Sequence, residues 1–201
     1  MKNILIIGGT SGFGLIFSKV LAPHYLVTVT GRREISEPNL ISLKLDSSKL
    51  NQDFLKSYKP DVIINNGYDK SDHISSFNNS IIIVRESINY FKGKGGGIIL
   101  NVNSIAGLQP DNKDPDYAAS KHGLKGYVDS VSLDAYLNNI NLINLYPRAV
   151  STGMSQGRED YSKLIDAKEL AEFCVFLLKT KSFYVSSIVF DRVFAYNSEL
   201  I

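Results

Sequence analysis

Tyr117 and Lys121 stand four positions apart in Tyr117-Ala-Ala-Ser-Lys121, inside a segment of helical character. One helical turn puts the phenol and the ammonium on a shared face. A free tyrosine titrates near ~10 and stays protonated at neutral pH, but a cation held close favours the phenolate and brings the group towards general acid/base work. Spacing alone does not single this pair out, because Tyr90 and Lys94 have the same separation ahead of a Gly-rich turn; that pair is read as a coincidence. What sets Tyr117 apart is Ser104, thirteen positions earlier at the end of Ile98-Ile-Leu-Asn-Val-Asn-Ser104. A hydroxyl at the carboxyl end of a strand lies where open α/β sheets take their ligands, and it can hydrogen-bond a substrate carbonyl.

A second constellation opens the chain. Ile4-Leu-Ile-Ile7 runs into Gly8-Gly-Thr-Ser-Gly-Phe-Gly14, and Leu15 to Ala22 then has helical character. Glycine at 8, 12 and 14 lets the backbone turn tightly and approach a pyrophosphate, with Thr10, Ser11 and Phe13 in the same turn, while a helix N-terminus supplies unpaired N–H groups and partial positive charge. No Gly-Lys-Ser/Thr follows, so this is not the turn of a nucleoside triphosphatase. The second strand ends at Thr30-Gly31-Arg32-Arg33, where NAD-preferring folds usually carry an acid for the ribose 2′-hydroxyl. Two guanidinium groups suit a 2′-phosphate, so NADP(H) is expected over NAD(H). Asp46, after the third strand, either accepts from an adenine amino group or caps the helix that follows.

The elements needed to hold these residues are legible as alternating short β-branched runs and longer helical patterns. Strands are expected at Ile4 to Ile7, Leu26 to Thr30, Leu40 to Leu45, Val62 to Ile64, Ile98 to Val102, Asn141 to Leu145 and Ser187 to Phe190. Helices are expected to begin near Gly14, Gln52, Phe77, Pro115 and Ala167. Alternation of this kind makes a parallel sheet with right-handed crossovers and helices on both faces, a Rossmann-type doubly wound α/β fold. With 201 residues, 44% hydrophobic, the chain is read as a single domain over 1–201 with a short substrate loop at about 151–166. The loops with least pattern are Gly93 to Gly97, Gln109 to Asp116 and Ser151 to Lys163.

At this point the sequence resembles the short-chain dehydrogenase/reductase family. Gly8-x-x-x-Gly12-x-Gly14, Asp46, Asn65-Asn66-Gly67, Ser104, Tyr117-x-x-x-Lys121 and Pro147 to Thr152 occur in that family's order. The resemblance implies that Tyr117 donates or accepts the hydroxyl proton, Lys121 lowers its pKa and binds the nicotinamide ribose, and Ser104 orients the substrate oxygen. It implies further that Asn79, or the neighbouring Asn78, serves a proton relay, that Asn66 and Gly67 back the adenine side, and that the segment from Pro147 holds the nicotinamide carboxamide through Val150 and a phosphate through Thr152. A small carbonyl or alcohol substrate, and a homodimer or homotetramer, are likewise implied.

The sequence departs from that pattern in places. Gly67-Tyr68 replaces the usual Ala-Gly, Arg148 stands where glycine usually follows the proline, Asn103 replaces a small hydroxyl residue, and both the Gly67 to Phe77 connection and the stretch from Thr152 to Ala167 are short. Arg148 is read either as a holder of an acidic substrate group or cofactor phosphate, or as a solvent-facing side chain. These departures motivate an alternative, a dinucleotide-binding regulatory or sensor protein with little or no catalysis. The 22 basic and 20 acidic residues are scattered, which argues against nucleic acid or a membrane surface as a partner. His24, His73, His122 and the lone Cys174 lack metal-ligand spacing, so no metal is expected. Without a signal-peptide core or a long apolar span, a cytoplasmic protein is expected.

Overall fold

The computed structural model describes residues 1–157, 160–180 and 182–192. In chain order the strands are β1 (Asn3–Ile7), β2 (Leu26–Gly31), β3 (Leu40–Lys44), β4 (Val62–Asn65), β5 (Gly97–Val102), β6 (Ile140–Pro147), β7 (Val150–Ser151), β8 (Ile165–Asp166) and β9 (Ser187–Phe190). The helices are α1 (Gly12–Leu21), α2 (Gln52–Tyr58), α3 (His73–Lys94), α4 (Pro115–Leu137) and α5 (Ala167–Lys179). Seven strands form one sheet in the order β3-β2-β1-β4-β5-β6-β9, with every pairing parallel. The expected doubly wound α/β fold is therefore the observed one.

The sheet is buried on both faces, and this is why its strands read as apolar runs. Ile4, Ile6, Val62, Ile64, Leu100 and Ile143 pack with α1 and α5. Leu5, Ile7, Ile63, Ile99 and Leu142 pack with α2, α3 and α4. The chain leaves β1 for one half of the sheet and returns to β4 for the other. The loops after β1 and β4 thus flank the crevice at which such sheets bind ligands.

Some boundaries differ from expectation. Helix α3 begins at His73 rather than near Phe77, because the Asp72 side chain accepts from the Ser75 N–H and caps it; the first turn carries no apolar stripe to reveal that start. Helix α1 begins at Gly12, inside the Gly-rich turn. Gly93 and Lys94 belong to α3, which Gly95 ends in the left-handed region. The expected 151–166 loop is partly ordered by two-residue strands, β7 pairing in parallel with β8; its residues 158–159, like 193–201 of the expected domain, lie outside the described residues. Among the described residues no helix is long and apolar enough to cross a membrane.

At the carboxyl ends of the central strands the α3/α4 face turns polar. Asn65, Asn101 and Asn144 lie in register across β4, β5 and β6 and are all buried. Asn65 Nδ2 donates to Asn101 Oδ1 at 2.8 Å, Asn101 Nδ2 to Asn144 Oδ1 at 2.7 Å, and Asn144 Nδ2 to the Tyr146 hydroxyl at 2.6 Å. Truncating the middle member strands a donor and an acceptor that water cannot reach. Asn101→Ala is expected to lower unfolding stability by ~1–3 kcal/mol, read from urea denaturation; an unchanged midpoint and slope would show that the ladder contributes nothing.

Candidate active site

The turn after β1 meets the loop after β4 at close range. Gly8 and Gly9 both donate backbone N–H groups to the Thr30 carbonyl at 3.0 Å, with Gly8 at φ 80°. Asn66 fastens the two loops, its N–H donating to the Ile7 carbonyl at 2.9 Å and its Nδ2 to the Gly8 carbonyl at 3.0 Å. Helix α1 then starts so close to this junction that a Cβ on Gly14 would lie 2.2 Å from the Gly8 oxygen. Only glycine fits there. Ser11 makes no side-chain cap, leaving first-turn N–H groups of α1 available to an outside acceptor. Thr10 is buried against Gly31 at the end of β2, and Phe13 is buried beneath the turn. The residues present fit a dinucleotide phosphate.

Helix α4 carries Tyr117 and Lys121. Asp114 caps it, accepting from the Tyr117 N–H at 3.0 Å, and Pro115 occupies its first turn. Ser104 lies near enough to the Tyr117 hydroxyl to favour its ionised form. Ser104 follows β5, and its Oγ accepts from the Ala106 N–H at 3.2 Å. Lys121, only 5% exposed, brings its amine to 5.6 Å from the Tyr117 ring centroid. The three residues singled out by type and spacing are thus together at the carboxyl edge of the sheet. Their titration differs from the simple expectation of a lysine pulling a phenol down. Burial pushes the Tyr117 phenol above its ordinary 10, while Ser104 opposes this and the Asp111 and Asp114 charges reinforce it. Burial pushes the Lys121 amine down to about 7.

The structure also brings in two residues to which the sequence assigned no chemistry. The Tyr68 hydroxyl lies 2.6 Å from His73 Nδ1 and 3.2 Å from Ser120 Oγ. His73 Nε2 is 3.4 Å from Asp114 Oδ1. The Tyr68 ring stands edge-on to Tyr117 with centroids 5.4 Å apart, and the His73 ring is 5.9 Å from Tyr117. Burial lifts the Tyr68 phenol to about 12. The sequence signals were the replacement of the usual residues by Gly67-Tyr68 and an aspartate–histidine pair at a helix start.

Other expected residues are placed as follows. Asn79 is half-buried on α3 and Asn78 is exposed. Asp46 is exposed and caps the short 3-10 turn Ser47–Lys49, accepting from the Ser48 N–H at 3.0 Å and its hydroxyl at 2.9 Å, which is the capping alternative. Arg32 is paired with Asp69 at 2.5 Å with 83% of its side chain exposed, and Arg33 is exposed. Pro147 ends β6, the Val150 carbonyl accepts from Ser155 Oγ at 3.0 Å, and the Thr152 N–H donates to the same Oγ at 2.8 Å. Arg148 does not point freely to solvent: it is ion-paired with Asp191, donates to Asp191 Oδ2 at 2.9 Å, and donates to Gln109 Oε1 at 3.2 Å. Tyr90 and Lys94 sit at the far end of the sheet, where the Lys94 amine donates to the Pro60 carbonyl at 2.6 Å. Cys174 is buried, which pushes its thiol up to about 12. Among the described residues no group of three or more His, Cys, Asp or Glu side chains could hold a metal ion.

Known proteins resemble this chain in sequence and fold. The family model of short chain dehydrogenases matches residues 73–162, the span that includes Ser104, Tyr117 and Lys121. Human 15-hydroxyprostaglandin dehydrogenase [NAD(+)] is 42% identical over 69 residues; the match takes 33% of this chain and 26% of that protein, so the chain spans about a quarter of its length. The 3-oxoacyl-[acyl-carrier-protein] reductase FabG of Chlamydia muridarum is 23% identical over 94% of each chain. Among solved structures, ElxO with NADP bound superposes with a TM-score of 0.79 at 19% identity, covering 94% of this chain and 97% of that one. A betaketoacyl-[ACP] reductase from Bacteroides thetaiotaomicron gives 0.76 at 20% identity, covering 96% and 98%. The family resemblance read from the motifs is thereby borne out, and the structural likeness bears out the fold.

The buried amine has a measurable signature. Its folded-state pKa of about 7 lies below its ordinary 10.5, so between these values the unfolded chain binds more protons than the folded one. Stability from this group therefore rises with pH across that window, by at most roughly 1.4 kcal/mol per pH unit. Comparing urea unfolding of the wild type and Lys121→Met at pH 7 and pH 9 should show the wild type gaining on the variant. A constant difference would mean that the amine is solvated.

Proposed function

We propose that this short-chain dehydrogenase/reductase-like chain is an NAD(P)-dependent oxidoreductase that interconverts a carbonyl and an alcohol. The observation that carries this reading is the meeting of the Tyr117 hydroxyl, Ser104 and the Lys121 amine beside a glycine turn shaped for a phosphate. The dinucleotide, when bound, supplies or accepts the hydride. Ser104 holds the substrate oxygen by a hydrogen bond. In the reducing direction Tyr117 gives its hydroxyl proton to that oxygen as negative charge develops there, and in the oxidising direction it takes the proton back. Lys121 in its charged form stabilises the resulting phenolate.

The same reading assigns cofactor contacts to Gly8, Thr10, Ser11, Gly12, Phe13 and Gly14 at the phosphates, to Asn66, Gly67 and Asp46 on the adenine side, the last in addition to its cap, which uses Oδ1, and to Lys121, Pro147, Val150 and Thr152 at the nicotinamide end, with Tyr117 beside it. Asn79 is assigned the relay, with Asn78 as the alternative. We infer NADP(H) in preference to NAD(H) from Arg32 and Arg33. Arg32 has to leave Asp69 or share its charge to serve a 2′-phosphate, and the similar proteins carry both NAD and NADP in their names. We also infer a single domain over 1–201 with its substrate loop at about 151–166, and a homodimer or homotetramer acting in the cytoplasm.

Calorimetric titration with NADPH, NADP, NADH and NAD at physiological salt tests the reading. Selective binding of the phosphorylated pair is expected, and Arg32→Ala with Arg33→Ala should weaken NADPH far more than NADH; equal losses would refute the inferred preference. In a screen of carbonyl compounds with NADPH, Tyr117→Phe should lose 100-fold or more in turnover, of the order expected for a general acid, while keeping dinucleotide affinity. Binding without turnover of any carbonyl compound by the wild type would favour the sensor alternative, and no binding would remove both.

A further inference from the structure

Tyr68 enters the site from the loop after β4, and its ring face meets the Lys121 amine. The amine lies 4.1 Å from the Tyr68 centroid, closer than the 5.6 Å to the ring of Tyr117. The hydroxyl of Tyr68 is meanwhile tied to two helices, to His73 on α3 and Ser120 on α4. His73 stacks on the same ring with centroids 5.9 Å apart and is backed by the Asp114 carboxylate. The ring therefore cannot rotate away from the lysine without breaking these bonds. An aromatic face attracts an ammonium through its quadrupole, most strongly where water is excluded.

We propose that Tyr68 is a positioning residue acting through Lys121: anchored by His73 and Ser120, its ring holds the protonated amine in place beside Tyr117. This rests on the reading of Lys121 as the partner of Tyr117, which works only while the amine carries its proton. The groups facing that amine are aromatic, Tyr68 from the loop after β4 and Tyr117 from its own helix. The nearby carboxylates act elsewhere: Asp111 and Asp114 on Tyr117, and Asp114 also on His73. Burial drives the amine towards its neutral form, and the Tyr68 ring opposes that drive.

The test follows the Lys121 Cε and Nζ resonances through a pH titration of the full chain, labelled at lysine and assigned by comparison with Lys121→Arg. Tyr68→Leu, which keeps bulk and removes the ring face, is expected to lower the Lys121 midpoint by about one pH unit. Tyr68→Phe retains the ring and should stay nearer the wild type. Where the leucine variant fails to fold, phenylalanine carrying increasing numbers of fluorines at position 68 weakens the quadrupole at nearly constant shape, and the midpoint should fall stepwise. A leucine midpoint equal to the wild type, or a flat fluorine series, overturns the proposal. Calorimetry on the same samples separates the two readings. A wild type that binds no dinucleotide while Lys121 still follows the fluorine series sinks the oxidoreductase reading and upholds the ring contact.

Discussion

Keeping the Lys121 amine out of water is the constraint around which the site is built. Burying a charge without a carboxylate partner is costly, and a protein meets that cost either by shedding the proton or by surrounding the charge with polarisable groups. Here the backbone of Lys121 is fixed as well as its side chain. Asn103 Nδ2 donates to the Lys121 carbonyl at 3.2 Å, and Gly107 approaches the same carbonyl so closely that a Cβ would lie 2.8 Å from its oxygen. Helix α4 is therefore docked on the turn after β5 at the residue whose side chain reaches into the site. Asn103 thus has a structural task.

The sheet prepares for this. Below the site its α3/α4 face is aliphatic; at the strand ends it changes to asparagine on three neighbouring strands and, one pleat further, to Asn103. An amide supplies both donors and an acceptor, so a ladder of asparagines can pair sideways from strand to strand, although Asn65 Oδ1 and Asn103 Oδ1 stay buried without a hydrogen-bond partner. This polar layer fixes the relative heights of β4, β5 and β6, and hence of the loops that carry Tyr68, Ser104 and the Pro147 segment. The placement of Ser104 and of the loop bearing Tyr68 thus follows from hydrogen bonds deeper in the sheet.

Much of this was legible beforehand, for physical reasons that differ between elements. Strands buried on both faces announce themselves as apolar runs, and the glycine turn is visible because the Gly8–Gly14 approach tolerates no other residue at Gly14. Ser104, Tyr117 and Lys121 could be found because strand end and helical turn translate directly into sequence spacing. The start of α3 was hidden because its cap, Asp72, precedes a polar first turn without periodicity. Tyr68 and His73 were hidden for a different reason: their link to Lys121 crosses from one loop to a helix far along the chain, and nothing local encodes it. The Arg32–Asp69 pair and the Arg148–Asp191 clamp are contacts of the same long-range kind.

The segment at about 151–166 is short and is held by local bonds. The β7–β8 pair, the Ser155 hydroxyl bonding the Val150 and Thr152 carbonyls, and Asp166 capping α5 shape it. One ion pair reaches it from beyond β9, Arg192 with Asp160 at 2.7 Å, and a second, Arg148 with Asp191, lies beside it at the carboxyl end of β9. Each pair is partly exposed, and pairs of that kind contribute only about 0–1 kcal/mol. The hydroxyl and capping bonds, which are local and form with the turn itself, therefore set the shape of this loop. Arg148 is held at both its backbone and its side chain: its N–H donates to the Phe190 carbonyl at 2.9 Å, and its guanidinium bonds Asp191 and Gln109.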